Sequence, residues 1–575
     1  MSESIIKILS EILKQQQSEL APSYSADAFF NLFTSEQILK DFELSYEEIE
    51  SGIIEGSGDG GIDSIYTFLN GELLEEDSDY TNLKKDIVID LFIIQSKNTI
   101  GFGEEAIHKF IASANDLLNL AKDLSGLKTT YKEELLKKIE LFRNANLKLA
   151  SRFPRLNINY FYCSLGDQPH PNVERKVPHL EQTISSFYSD YNFTFAFIGS
   201  EKLLKLARKQ PIKSKSVVVE ETIPTSDGGY ISLDNLKSYF DFITDNGKLI
   251  KSFFDANVRD YQGKIEVNNA IKDTLNNITE EDFWWLNNGV TITTSRATLT
   301  GKSLEILEPQ IVNGLQSSYE IFNFFNAGRA EAEKRKILIR VIKPSAEKSR
   351  IKIIKATNSQ TNVPVASLRS TDEIHLNIED YFQAHGFYYD RRKNFYKNNG
   401  KPIKQIISIP YLAQIITAII LKEPDNSRGR PSSLLKKDDE YIRIFDPSYE
   451  PEVFLKSVKL QKDVEAQLKS YTPELSTNLI GDIKFHIAMF TIVKHLKKVN
   501  FSTSDFLKAD LTKISDADIK SNIDEVKQIY ESLGGTNRVA KSSEFVKSIN
   551  QRLAEIIAEY KAGLKEAAIE VKKEL

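Results

Sequence analysis

The chain has 575 residues, more than one hydrophobic core accommodates, so two to four domains of ordinary size are expected. Its 75 Lys and Arg stand against 81 Asp and Glu, a net charge of −6, which excludes electrostatic capture of nucleic acid by the chain as a whole and leaves that task to local patches. A single cysteine, Cys163, excludes an intramolecular disulfide framework and a cysteine-rich zinc module, and fits a reducing, cytoplasmic setting.

In chain order, the polar, Gln-rich start lacks the pattern of an export signal. Apolar residues at helical spacing over 5–20 and a second stretch over 25–50 predict helices. After a Gly-rich turn, a strand is predicted over 62–69, a polar connection over 71–83, and a near-continuous apolar strand over 87–95 of the kind buried in a central sheet. Helices over 104–120 and 131–149 and strands over 156–163 and 193–198 complete an α/β block. Turn chemistry at Ser226-Asp227-Gly228-Gly229 marks a boundary. A mixed, aromatic-rich middle follows, and from Pro451 the pattern is mostly helical, ending in a long charged helix. The longest apolar run, 406–421, is interrupted by Ser408, Pro410 and Gln414 and is short for a membrane span, so a buried helix is expected. No membrane partner is expected.

Chemistry concentrates where Asp63 opens a strand directly after Gly56-Ser57-Gly58-Asp59-Gly60-Gly61-Ile62, a turn freed by four glycines. Gln95-Ser96-Lys97 ends the second strand. Side chains alternate along a strand, so Gln95 and Lys97 share a face, and a neighbouring strand can set Asp63 beside them. A carboxylate and an amide oxygen suit a hard cation such as Mg2+ or Mn2+, which phosphodiester hydrolysis uses to polarise the phosphate. Lys97 is then placed to orient or deprotonate water and to stabilise charge on the phosphate. A turn cap and a surface strand end, with no chemistry, would use the same residue types.

The run Gly58-Asp59-Gly60-Gly61-Ile62-Asp63, followed by an apolar strand ending in Gln-x-Lys, resembles the PD-(D/E)xK superfamily, especially Mrr-like restriction endonucleases, over roughly residues 40–120. The resemblance implies catalytic Asp63, Gln95 and Lys97, with Asp63 and Gln95 on the metal. Gln95 replaces the more usual Glu or Asp, as the Mrr-like branch also does, and the missing charge weakens metal binding unless another carboxylate compensates. Such nucleases often add a Glu from the preceding helix, for which Glu47, Glu48, Glu50 and Glu55 are candidates.

A second resemblance lies over roughly residues 230–400. The runs Asn257-Val258-Arg259-Asp260-Tyr261-Gln262-Gly263, Phe283-Trp284-Trp285-Leu286-Asn287-Asn288-Gly289-Val290, Gln310-Ile311-Val312-Asn313-Gly314-Leu315-Gln316-Ser317, Ala356-Thr357-Asn358-Ser359-Gln360-Thr361 and Phe387-Tyr388-Tyr389-Asp390-Arg391-Arg392-Lys393 resemble the abortive-infection phage-resistance family, AIPR. That implies anti-phage defence. Physically, Asn288, Asn313, Gln316 and Asn358 offer donors and acceptors for a polar ligand, or else satisfy turns and neighbouring backbone. Between Lys334 and Lys355, nine Lys or Arg face one Glu, and Lys343, Arg350 and Lys352 are candidate phosphate contacts unless they form the solvated face of a strand. Arg391, Arg392 and Lys393, interleaved with aromatic residues, suit an unwound nucleic-acid backbone, or a rim around core rings.

The expected architecture is α/β: a restriction-endonuclease-like α/β/α domain over 1–215, a mixed α+β domain over 216–438 and a helical region over 439–575. The expected function is metal-dependent endonuclease action on DNA, taken as double-stranded, with Mg2+ or Mn2+, by a homodimer or higher homo-oligomer that a defence-system partner can assist. A non-catalytic phage or nucleotide sensor, and an RNase causing abortive infection, are the alternatives.

Overall fold

The structure, a computed structural model, describes residues 2–574 except 55, 57, 79–82, 84–86, 209–212, 255–265, 277–280, 329–333, 346–348, 351, 354–355, 357–372, 392–393, 432 and 436. It divides into two compact units, one of Met1–Arg208, Asn377–Asp390 and Asn394–Leu575, the other of Lys209–Leu376 and Arg391–Lys393. The expected boundary at 215 lies near the first break, whereas 438 lies inside the first unit.

The first unit opens with helices α1 (Ser2–Leu20), α2 (Ala26–Ile38) and α3 (Tyr46–Glu50). The Ser25 side chain accepts the Ala28 N–H at 3.1 Å and starts α2, whose Phe29, Phe30 and Phe33 are buried. Ser45 and Glu48 form a capping box at the start of α3. The continuous helical stretch expected over 25–50 is therefore broken, with separate caps for its two α-helical parts.

Strands β1 (Ser64–Leu69), β2 (Glu72–Leu73), β3 (Val88–Lys97), β4 (Arg155–Ser164) and β5 (Asn192–Ile198) form one sheet in the order β2-β1-β3-β4-β5. The β1/β3 pair is antiparallel, with Ser64 opposite Ile94, and β3/β4 and β4/β5 are parallel. The crossover from β3 to β4 carries helices α4 (Glu104–Leu117) and α5 (Glu133–Leu149). Helices α6 (Pro171–Glu174) and α7 (Val177–Ser185) follow β4, and α8 (Ser200–Arg208) follows β5.

Alternation along β3 gives the sheet two apolar faces. Ile89, Leu91 and Ile93 join the core containing Phe110 and Ala114 of α4 and Ile139 and Phe142 of α5. Ile94 joins the opposite core with Leu9, Phe30, Phe33 and Leu203. Gln95 and Lys97 continue the parity of Leu91 and Ile93, so the strand's pattern directs them to the α4 side.

The second unit contains β6 (Ser214–Val218), β7 (Glu221–Pro224), β8 (Tyr230–Asn235), α9 (Leu236–Ile243), β9 (Thr244–Asp245), β10 (Lys248–Leu249), α10 (Glu266–Asn276), β11 (Val290–Thr293), β12 (Arg296–Thr300), β13 (Ser303–Leu307), β14 (Gln310–Asn313), α11 (Leu315–Asn326) and β15 (Lys336–Ile342). Its larger sheet runs β14-β11-β15-β8-β7, with β12-β13-β6 and β10-β9 as smaller sheets. Gly314, at φ +98, turns the chain from β14 into α11, and a Cβ there would stand 2.8 Å from Cγ2 of Val290.

The rest of the first unit is mostly helical. Helix Ile409–Ile419 is buried along most of its length, as expected for the apolar run, and Val458, Ile487 and Ile523 bury three further helices, Pro451–Lys469, Thr477–Leu496 and Asp516–Ser532. In the last helix, Ser543–Glu574, Ile549, Leu553 and Ile557 are buried within the chain, so this apolar stripe packs on its own unit. Among the described residues no helix is long and apolar enough to cross a membrane.

Candidate functional site

Asp63 sits one residue before β1, held on every backbone side. Its N–H donates to the Ile94 carbonyl at 2.9 Å, and its carbonyl accepts from Ile54 N–H at 2.8 Å and from the Asn31 amide at 3.1 Å. The carboxylate is thereby fixed against the end of β3, where Oδ2 accepts the Ser96 N–H at 2.7 Å and lies 3.6 Å from Nζ of Lys97. Burial raises the Asp63 carboxyl above the ordinary carboxylate range, and Asp59 adds to this, while Lys97 and the Ser96 N–H oppose it.

Gln95 is only 2% exposed, and among the described residues its Oε1 has no hydrogen-bond partner. An acceptor oxygen buried without a donor costs about 1–3 kcal/mol. Such an atom fits a cation ligand, and its neighbour Asp63 supplies the negative oxygen that Mg2+ or Mn2+ prefers. Asp63 and Lys97 meet at this strand end, and Gln95 stands two residues before Lys97 on β3.

Two residues that sequence reasoning did not assign also lie here. Asp59 accepts the Gly61 N–H on Oδ1 at 2.7 Å. Lys109 of α4 pairs with Glu105 at 2.8 Å, and the charges of Glu105, Asp59 and Asp63 all raise its pKa. The signal for Asp59 was its place four residues before Asp63 across a glycine turn. Lys109 carried none, because only the packing of α4 brings it to that turn.

Two of the upstream glutamates have other partners. Glu48 Oε2 accepts the Ser45 N–H at 2.6 Å in the capping box, and Glu50 accepts the Tyr24 hydroxyl. Burial raises the Glu47 carboxyl, with Lys462 opposing and Glu50 adding. Glu55 lies outside the described residues. Capping and the tyrosine bond thus employ Glu48 and Glu50, two of the three candidates that are described, while Glu47 is half-buried.

In the second unit, strand register sets Asn313 opposite Thr291, and Thr291 opposite Arg340. Arg340 donates to the Asn288 carbonyl at 3.2 Å. Asn287 donates to Ser317 Oγ at 2.9 Å and accepts the Gly289 N–H at 2.9 Å, while Gln316 is buried on the first turn of α11. The predicted amides Asn288, Asn313 and Gln316 therefore gather where β11, β14 and α11 join. Asn287 serves the turn itself. Asn358 lies outside the described residues.

The candidate phosphate contacts differ in exposure. Lys343 and Lys352 are exposed and Arg350 is half-buried, whereas Arg391 is buried, which removes it from an open basic rim. Arg392 and Lys393 lie outside the described residues. In the same stretch Lys397 pairs with Glu36 at 3.1 Å and donates to the Leu44 carbonyl, and Tyr389 and Tyr396 are buried. Those two rings are core.

Fold and site define a mixed α/β protein with a helical C-terminal region and a carboxylate, amide and ammonium gathered at one end of its first sheet. The family model for AIPR protein matches residues 254–542, half of the chain. The chain belongs to the AIPR family, which suggests a role in abortive infection or anti-phage defence. No curated protein and no solved structure matches it.

Proposed function

We propose that this chain is a metal-dependent endonuclease of anti-phage defence that hydrolyses phosphodiester bonds of DNA. The observation that carries the reading is the orphaned, buried Oε1 of Gln95 at the strand end where Asp63 and Lys97 meet. Supporting it are the mixed sheet with helices on both faces and the resemblance of the 58–63 and 95–97 runs to PD-(D/E)xK nucleases.

Asp63 and the Gln95 amide oxygen would hold Mg2+ or Mn2+. When bound, the cation supplies Lewis acidity towards a phosphodiester. Asp63 is kept rigid by its backbone bonds and by Ser96, so its carboxylate needs little rearrangement on binding. Lys97 keeps a 43% exposed side chain beside that carboxylate, open to an incoming phosphate. There its ammonium stabilises developing negative charge and orients water.

The test is cleavage of plasmid DNA and of total RNA by the purified full chain with Mg2+ or Mn2+. Wild type is expected to cut DNA, and Asp63→Ala and Lys97→Ala each to lose about 100-fold or more, the scale on which a charge-stabilising group acts. Cutting that survives both substitutions overturns the reading. Cutting of RNA alone changes the substrate to RNA.

A further inference from the structure

We propose that Asp59 supplies the second carboxylate of the cation site and so replaces the negative charge that Gln95 lacks. This inference rests on the metal-site reading above. A site of Asp63 and an amide oxygen carries one negative charge, where two carboxylates would carry two. Among the described residues, no group of three His, Cys, Asp or Glu side chains is arranged for a metal, so a cation here depends on mixing carboxylates with the amide. Of the glutamates before the turn, Glu48 is committed to Ser45 and Glu50 to Tyr24.

Asp59 belongs to the turn that touches Gln95. Its Oδ1 binds the Gly61 N–H, and the place a Cβ would take on Gly61 is 3.6 Å from Nε2 of Gln95 and 2.7 Å from Cβ of Lys109. A Cβ on Gly61 would be in ordinary contact with Nε2 of Gln95 but would press on Lys109, so the glycine lets the Asp59 turn pack against α4 beside the amide whose oxygen is buried and unpartnered. The charge of Asp59 reaches Asp63, and the charges of both reach Lys109. Two carboxylates held together without a cation repel, and a divalent ion between them turns that repulsion into binding.

The experiment is Mn2+ binding to the full chain in the absence of nucleic acid, read by the paramagnetic resonance of free Mn2+, with a thermal melt of each variant. Asp59→Asn keeps an acceptor for Gly61 N–H and removes the charge. It is expected to weaken Mn2+ binding about tenfold or more, and Asp59→Asn combined with Gln95→Glu to recover most of the loss. If Asp59→Asn binds Mn2+ as wild type does while Asp63→Asn does not, Asp59 is only a turn acceptor: the proposal falls and the Asp63 site stands. If wild type binds no Mn2+, both fall. If Asp59→Asn also melts early, the double variant decides: restored Mn2+ affinity at an unrestored melting temperature supports the charge role, and unrestored affinity overturns it.

Discussion

Gly61 has φ +81, a region costing an L-residue about 1–2 kcal/mol, and a Cβ there would also press on Lys109. Gly61→Ala is therefore expected to destabilise the first unit by at least that amount, seen as a lower urea midpoint, and to weaken Mn2+ binding by moving the turn away from Gln95. Unchanged stability and unchanged Mn2+ affinity would show that the turn yields without strain. The same scale explains why Gln95 matters more than its chemistry suggests. A buried amide with an idle acceptor is expensive unless something binds it.

At the scale of elements, β3 and α4 make the site by what they bury. Ile89, Leu91 and Ile93 anchor β3 on the α4 side, and the two polar positions that follow inherit that face. Phe110 of α4 is fully buried, its ring 5.0 Å from that of Tyr160 on β4 in an edge-on contact. Phe110→Ala is expected to cost about 3–5 kcal/mol, measured by urea unfolding, and to loosen Lys109, the residue before it in the helix. A loss below 1 kcal/mol would mean that α4 does not depend on this core. The last helix shows the opposite use of an apolar stripe, because Ile549 and Leu553 are spent inside their own unit.

Across the whole molecule, the first unit joins residues far apart in sequence, and its helical part contains a buried titratable network. Asp482 accepts from Arg428 at 3.0 Å, Asn537 at 3.0 Å and Tyr530 at 2.9 Å. His486, one helical turn on, is fully buried with its ring centroid 4.5 Å from that of Phe545. Burial pushes its pKa down to about 3 from an ordinary 6.5, and the Arg428 charge adds to the depression. The unfolded chain therefore binds the proton that the folded chain refuses. The contribution is complete above pH 6.5 and is lost as pH falls towards 3. His486→Phe is expected to flatten the decline of melting temperature between pH 7 and pH 4.5, and an equally steep decline in the variant would assign the acid sensitivity to other groups.

The sequence by itself determined the parts that depend on local pattern. Strand alternation set Gln95 and Lys97 on one face, the glycine run announced the turn before Asp63, and the interrupted apolar run at 406–421 marked a buried helix. Motif wording also pointed to the AIPR family. Only the tertiary structure decided which groups meet across the chain. Pairing of β1 with β3 brought Asp63 to Ser96 and Lys97, and packing of α4 delivered Lys109. Capping and a tyrosine contact drew Glu48 and Glu50 elsewhere, and burial enclosed Arg391. Periodicity fixes the face a side chain takes, because it is a property of consecutive residues. Its partner is fixed by the packing of elements far apart in sequence, which no local spacing encodes.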